Sequence, residues 1–145
     1  VGGHCIPVDP MYLATTAREV GAPMRFIELA NDVNSLMPSF FVGKAEGMLG
    51  SLSGKKILVV GVAYKPDVSD VRETPATALI GRLRAAGAEV SWHDHLVGEW
   101  NGESSVPLSK EYELVVLVNP HSSVDLSALD GVPILNTRGN TVKNG

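Results

Sequence analysis

The spacing of hydrophobic residues changes once along this chain. Up to residue 50, apolar residues recur every three to four positions, which is the spacing of amphipathic helices. From residue 56 onward, short aliphatic runs alternate with polar segments, which is typical of strands buried on both faces of a parallel sheet. The pattern therefore predicts two parts, a helical part over residues 1–50 and an α/β part over residues 51–145.

Two helices are predicted in the first part. Residues 10–20 have helical spacing and are followed by Gly21, a residue that favours a helix end. Residues 24–49 predict one long helix with a mixed apolar stripe. Pro38 removes a backbone donor inside it, so the helix either breaks or kinks there, and we favour a kink. The stripe either packs on the chain's own α/β part or contacts a second copy of the chain.

Strands and helices alternate in the second part. A helix is predicted to begin at Pro75, with Thr74 as its N-cap, and to end at Gly87. Polar segments with weak helix potential, including residues 123–129, separate the later strands. Strand–helix–strand order implies right-handed crossovers and hence a doubly wound, Rossmann-like parallel sheet. The four predicted strands are residues 56–62, 89–94, 114–118 and 133–136.

Composition excludes several classes of function. The 145 residues are 44% hydrophobic with a net charge of −4, and no basic stripe suggests nucleic-acid binding. No apolar run approaches the roughly 20 residues of a membrane span. One cysteine excludes an internal disulfide and fits a reducing compartment such as the cytoplasm. No metal site is predicted.

The first residues carry the chain's only cysteine, Cys5, directly after a histidine. Gly2 and Gly3 allow turn conformations and a close approach to a ligand, while Asp9 could cap a helix whose first residue is Pro10. Thiols at helix N-termini or beside histidines ionise more readily than free ones and serve as nucleophiles. The alternative is that Cys5 is a small buried apolar residue.

The loop after the first predicted strand, residues 61–75, is the second candidate site. Ligands of open α/β sheets bind at the carboxyl ends of strands, and this loop carries Lys65 and Arg72, two side chains suited to phosphate. Gly61 is its only glycine, so the dinucleotide fingerprint G-x-G-x-x-G is absent. The residues alone leave open whether this loop binds an anion or is merely solvated.

Three segments resemble one known family. Gly-Gly-His-Cys-Ile-Pro-Val-Asp-Pro-Met-Tyr-Leu, residues 2–13, resembles the catalytic-cysteine motif of the UDP-glucose/GDP-mannose dehydrogenase family, in the form of the branch acting on UDP-N-acetylhexosamines. Residues 61–75 are similar to the signature that opens the family's UDP-binding domain. Asn136-Thr137-Arg138 resembles a late strand-end motif, although Asn136 stands where many members have aspartate.

The resemblance implies an oxidoreductase activity that uses NAD. Such enzymes oxidise the C6 alcohol of a UDP-sugar to the uronic acid with two NAD+ in turn, as a step toward polysaccharides. Cys5 would add to the intermediate aldehyde, giving a thiohemiacetal and then a thioester that water hydrolyses. Asp9 would position or activate this water, unless helix capping is its main role.

The resemblance also implies binding residues and partners. Gly2, Gly3, Tyr64, Lys65 and Arg138 would bind the nucleotide-sugar. The central helix would form a homodimer, and the chain would be the C-terminal part of an enzyme whose N-terminal NAD-binding domain lies outside it. The chain alone would then be inactive.

Arg72 would reach towards the NAD. Two alternatives remain: a non-catalytic nucleotide-binding and dimerisation module, and a thiol hydrolase pairing Cys5 with one of His93, His95 or His121. The sequence fixes neither the sugar nor UDP over GDP.

Overall fold

The computed structural model describes residues 1–3, 5–139 and 142–143. Two helices, α1 (Cys5–Glu19) and α2 (Arg25–Leu49), precede the sheet domain, and a third, α3 (Pro75–Ala85), crosses over within it. The strands are β1 (Lys56–Val60), β2 (Glu89–His93), β3 (Glu99–Trp100), β4 (Glu103–Ser104), β5 (Leu114–Leu117), β6 (Ile134–Asn136) and β7 (Val142–Lys143). A 3₁₀ turn covers Leu126–Leu129.

Helix α1 begins at Cys5 rather than at Pro10. The prediction that Asp9 caps this helix is therefore wrong, since Asp9 lies inside it. First-turn N–H groups have no intrahelical partner, so Pro7, which has no N–H, removes no hydrogen bond from α1. Gly3, with φ of 91°, turns the chain shortly before the helix begins.

Helix α2 runs without interruption over 25 residues and contains Pro38. Of the two alternatives at this proline, a break is therefore wrong. The C-terminal half of α2 packs on the sheet domain through Phe41, Ala45 and Met48. Gly50, with φ of 77°, ends the helix by donating its N–H to the Glu46 carbonyl.

The main sheet has the strand order β2-β1-β5-β6-β7, with the first four strands parallel and β7 antiparallel to β6. The chain leaves β1 towards one side to form β2 and returns on the other side to form β5. The carboxyl ends of β1 and β5 therefore meet at a topological switch point, where open α/β sheets bind ligands. The four predicted strands and the α3 helix are confirmed, and Thr74 caps α3 by accepting a hydrogen bond from the Ala76 N–H.

Both faces of the sheet are buried, as the aliphatic runs predicted. Ile57 and Val59 point into one core with α2 and α3, while Leu58 and Val60 point into another. The second core is covered by short irregular segments and the 3₁₀ turn instead of an α-helix. The β3–β4 hairpin was not predicted, because strands of two residues carry no periodic signal.

Among the described residues, no helix combines the length and apolar character that crossing a lipid bilayer requires.

Candidate functional site

A cavity of about 700 Å³ lies at the carboxyl edge of the sheet. Its walls come from the first residues of the chain, from α2, from the start of α3 and from the segments after β1, β5 and β6. Four of the predicted binding residues line it together: Gly2, Tyr64, Lys65 and Arg138. The strand-end rule had selected the loop after β1, and Tyr64 and Lys65 of this loop line the cavity.

Lys65 and Arg138 supply the positive charge of this cavity. The Lys65 ammonium lies 5.4 Å from the centre of the Tyr64 ring, a distance at which a cation is attracted to an aromatic face. The backbone turn at Arg138 is fixed by Asn136, whose Oδ1 accepts the Arg138 N–H at 2.9 Å. The side-chain amide oxygen of Asn136 thus acts as the hydrogen-bond acceptor at this turn. The two cationic residues line the cavity from the segments after β1 and β6.

The two glycines before Cys5 pack directly on the loop after β1. The Gly3 N–H donates to the Glu73 carbonyl at 3.1 Å, and a Cβ on Gly3 would lie 2.9 Å from the Tyr64 ring. A Cβ on Gly2 would lie 2.5 Å from the Glu73 oxygen and 2.6 Å from Pro75 Cδ. These glycines are needed for contact between the two motifs, and Gly2 also lines the cavity.

Cys5 is an exposed free thiol at the first position of α1. It does not line the cavity, although its neighbour Ile6 does. Asp9 is exposed and four residues further along the same helix, so the carboxylate and the thiol project from one helix face. Because Cys5 is exposed, the alternative that it is a small buried apolar residue is wrong.

Arg72 is not brought together with the other predicted residues. Its guanidinium pairs with Asp70, with Nε–Oδ1 of 2.9 Å and Nη2–Oδ2 of 2.6 Å. The side chain is 69% exposed, and hydrogen bonding to Asp70 raises the pKa of Arg72. In this arrangement Arg72 lies outside the cavity lining.

The histidines considered for a thiol hydrolase each have another partner. His93 Nδ1 lies 2.7 Å from the Val106 carbonyl oxygen, and His95 Nε2 lies 2.9 Å from the Ser123 hydroxyl. His121 Nε2 contacts the Asp94 carboxylate at 2.7 Å. None of these contacts supports a dyad with Cys5.

Sequence reasoning missed part of the cavity wall. Asn119 lies two residues after the end of β5, and the strand-end rule that selected Lys65 would also have selected it. Asn34 had no such signal, because nothing in a helical pattern indicates that this position faces a cavity. The other missed wall residues are Val1, Ile6, Ser35, Met37, Pro38, Phe41, Pro75, Ala78, Leu79, Val118 and Thr137.

The described residues do not fit the pyrophosphate of a dinucleotide at the turn after β1. A Cβ on Gly61 (φ of 82°) would lie 2.2 Å from the Asn119 carbonyl. This glycine therefore serves the contact between the ends of β1 and β5, and no further glycine follows it in the turn. Pro75, the first residue of α3, has no N–H to offer and is covered by Gly2.

Comparison with known proteins yields two family matches. The sequence model of the UDP-glucose/GDP-mannose dehydrogenase family, UDP binding domain, matches residues 58–139, and that of the same family's central domain matches residues 1–36. All three segments that carried the resemblance lie within these matches.

Curated relatives include two UDP-sugar dehydrogenases. UDP-glucose 6-dehydrogenase TuaD from Bacillus subtilis is 37% identical over 93 residues, covering 64% of this chain and 20% of that protein. UDP-N-acetyl-D-mannosamine dehydrogenase from Campylobacter jejuni is 36% identical over 88 residues, covering 61% and 21%. The chain thus spans about a fifth of the length of these relatives.

Solved structures share the fold over the whole chain. A UDP-glucose dehydrogenase from Pyrobaculum islandicum superposes with a TM-score of 0.81 at 27% identity, over 98% of this chain and 35% of that one. The UDP-N-acetyl-mannosamine dehydrogenase Cap5O from Staphylococcus aureus gives 0.73 at 30% identity, over 100% and 36%. Because the UDP-binding match alone covers more than half of the sequence, this chain belongs to the UDP-glucose/GDP-mannose dehydrogenase family.

Proposed function

We propose that this chain forms the nucleotide-sugar-binding part, including the reactive cysteine, of an NAD-dependent UDP-sugar 6-dehydrogenase. The observation that carries the proposal is the cavity lined jointly by Lys65, Arg138 and Gly2. It combines two cations for a diphosphate with a segment that leads directly to Cys5.

The cavity suits a nucleoside diphosphate in both charge and size. A diphosphate offers several anionic oxygens, which the Lys65 point charge and the planar Arg138 fork can bind from two sides. The apolar wall, with Met37, Pro38 and Phe41, suits the flat faces of a base or sugar ring. About 700 Å³ lies within the size range of small-molecule sites.

Cys5 supplies the covalent chemistry in this proposal. Its thiolate adds to the C6 aldehyde carbon of the substrate, and the former carbonyl oxygen takes up a proton to give a thiohemiacetal. Asp9, on the same face of α1, orients the water that later releases the acid from the thioester. NAD+ supplies hydride acceptance when bound, and we assign it to a part of the protein outside this chain, towards which Arg72 would reach.

The form of the cysteine motif favours a UDP-N-acetylhexosamine as the substrate. Among the relatives are both UDP-glucose and UDP-N-acetyl-D-mannosamine dehydrogenases, so the motif Cys-Ile-Pro-Val-Asp-Pro carries this choice. We expect the chain alone to bind nucleotide without turnover.

A homodimer through α2 is part of the same proposal. Five large apolar residues on this helix are exposed at alternating spacings of three and four: Phe26, Leu29, Val33, Leu36 and Phe40. This is the spacing of the seam between two helices of a coiled coil. Phe26 is 82% exposed in the single chain, and a second copy of α2 would cover it.

UDP titrated into the chain in a calorimeter should bind more tightly than GDP, while NAD+ should not bind. Lys65→Ala or Arg138→Ala should weaken UDP binding by roughly 10- to 100-fold, because each removes a charge-assisted contact of about 1.5–3 kcal/mol. Lys110→Ala and Arg82→Ala, on exposed residues outside the cavity lining, serve as matched controls and should change affinity by less than about twofold. Equal losses in control and site variants would contradict the assignment of the cavity.

Cys5→Ser in the complete dehydrogenase should abolish acid formation, with a loss of more than about 1000-fold, because a hydroxyl at neutral pH is a much weaker nucleophile than a thiolate. UDP affinity of the same variant should stay within about twofold of the unmodified protein, since Cys5 does not line the cavity. Uronic acid production by Cys5→Ser at the unmodified rate would instead favour the alternative of a non-catalytic nucleotide-binding and dimerisation module.

Sedimentation equilibrium should give about twice the 15.4 kDa mass of the chain. Leu36→Asp should shift the equilibrium to monomer, because it places a charge in the centre of the apolar seam. Thr77→Asp introduces the same charge at an exposed position of α3 and should leave the dimer intact. A monomeric mass for the unmodified chain at high concentration would refute the dimer.

A further inference from the structure

Within the loop after β1, the segment from Val62 to Asp67 carries Tyr64 and Lys65. Both ends of this segment are hydrogen-bonded to one buried pair of side chains, Asp94 and His121. Asp94 is 1% exposed and His121 is 3% exposed. Both lie outside the cavity lining, so neither contacts a ligand there. Their hydrogen bonds nevertheless reach the backbone on both sides of Tyr64 and Lys65.

Asp94 holds the start of the loop. Its Oδ2 accepts hydrogen bonds from the N–H groups of Val62 at 2.9 Å and Ala63 at 3.2 Å. Its Oδ1 accepts from Leu96 and Val97 at 3.0 and 3.2 Å. The carboxylate therefore fixes the chain immediately before Tyr64 and is itself anchored at the end of β2.

His121 holds the end of the loop. Its Nδ1 accepts the Asp67 N–H at 2.7 Å, so this nitrogen carries no proton. The ring proton is on Nε2, which donates to Asp94 Oδ1 at 2.7 Å. Both ring nitrogens therefore have a hydrogen-bond partner. The neutral tautomer with the proton on Nε2 is the one that connects Asp94 to Asp67.

Asp67 is where this connection restrains the backbone. It has φ of 61°, a left-handed conformation that non-glycine residues rarely adopt. Its Oδ1 accepts from the Ser122 N–H at 2.8 Å and the Ser122 hydroxyl at 2.9 Å. These bonds lower the pKa of the Asp67 carboxyl, which therefore stays ionised as an acceptor near neutral pH. Three hydrogen bonds, from two partner residues, thus hold Asp67 in a conformation that would otherwise be unfavourable.

We propose that the Asp94–His121 pair is a positioning element that fixes the loop from Val62 to Asp67 so that Lys65 and Tyr64 face the nucleotide. The pair acts through the loop backbone and not on the substrate. A loop already fixed in its binding conformation loses less freedom when the ligand binds. The inference rests on the proposed function for the identity of the ligand, whereas the restraint itself is a property of the chain.

Two substitutions at His121 separate positioning from simple bulk. Gln has an amide whose oxygen can accept the Asp67 N–H and whose NH₂ can donate to Asp94, while Phe fills the space without either bond. We expect His121→Phe to weaken UDP binding about tenfold or more, and His121→Gln to stay within about threefold of the unmodified chain. His93→Phe, which removes a histidine contact to Val106, is the control and should retain affinity.

A double variant shows whether the pair acts through Lys65. If His121 only positions the loop, Lys65→Ala with His121→Phe should bind UDP little more weakly than Lys65→Ala alone, because coupled residues are not additive. Fully additive losses would overturn the proposal, as would a folded His121→Phe chain that binds UDP like the unmodified one.

Nuclear magnetic resonance of the chain without ligand tests the restraint independently of UDP binding. A failure of the chain to bind UDP would overturn only the proposed function. ¹⁵N shifts of His121 should show the proton on Nε2, and the Asp67 amide should exchange slowly. In His121→Phe the amides of Tyr64, Lys65 and Asp67 should exchange faster, and His121→Gln should restore slow exchange. A proton on Nδ1 in the unmodified chain, or unchanged exchange in His121→Phe, would overturn the inference; if His121→Phe does not fold, the tautomer and the Gln variant decide.

Discussion

The contact between Gly3 and the loop after β1 is the interaction on which the candidate site depends. The Gly3 N–H donates to the Glu73 carbonyl, and Gly3 lies against the Tyr64 ring where no side chain would fit. This contact joins two segments that are about sixty residues apart in the sequence. It fixes the start of the helix that begins at Cys5 against the loop after β1. The proposed nucleophile and the proposed nucleotide site are joined through this contact.

The sheet topology supplies the other half of the arrangement. The chain passes from β1 to one side and returns on the other, and the resulting switch point has Gly61 in direct contact with the backbone at Asn119. This close packing occupies the space where a dinucleotide-binding turn would approach a pyrophosphate. The cations instead come from Lys65, after β1, and from Arg138, after β6. We propose that this Rossmann-like sheet holds a nucleoside diphosphate by these side chains more than by a glycine-rich turn.

The sequence predicted what depends on local pattern. Aliphatic runs located four strands, Thr74-Pro75 located the start of α3, and the strand-end rule selected Lys65, which lines the cavity at the carboxyl edge of the sheet. It failed where long-range contacts decide. Asp9 looked like a helix cap because Pro10 follows it, but the turn at Gly3 lets α1 begin at Cys5. Likewise, no local signal indicated that His121 would meet Asp94 or that Asn34 would face the cavity, because both depend on the packing of distant elements.

In our proposal, Gly2, Gly3 and Ile6 belong to one site with the carboxyl edge of the sheet. Amide chemical shifts measured while UDP is added to the ¹⁵N-labelled chain test this most directly. We expect the amide chemical shifts of Gly2, Gly3 and Ile6 to change together with those of Lys65 and Arg138, along a single binding curve. Shifts confined to residues 62–138, with the first six residues unaffected, would contradict it.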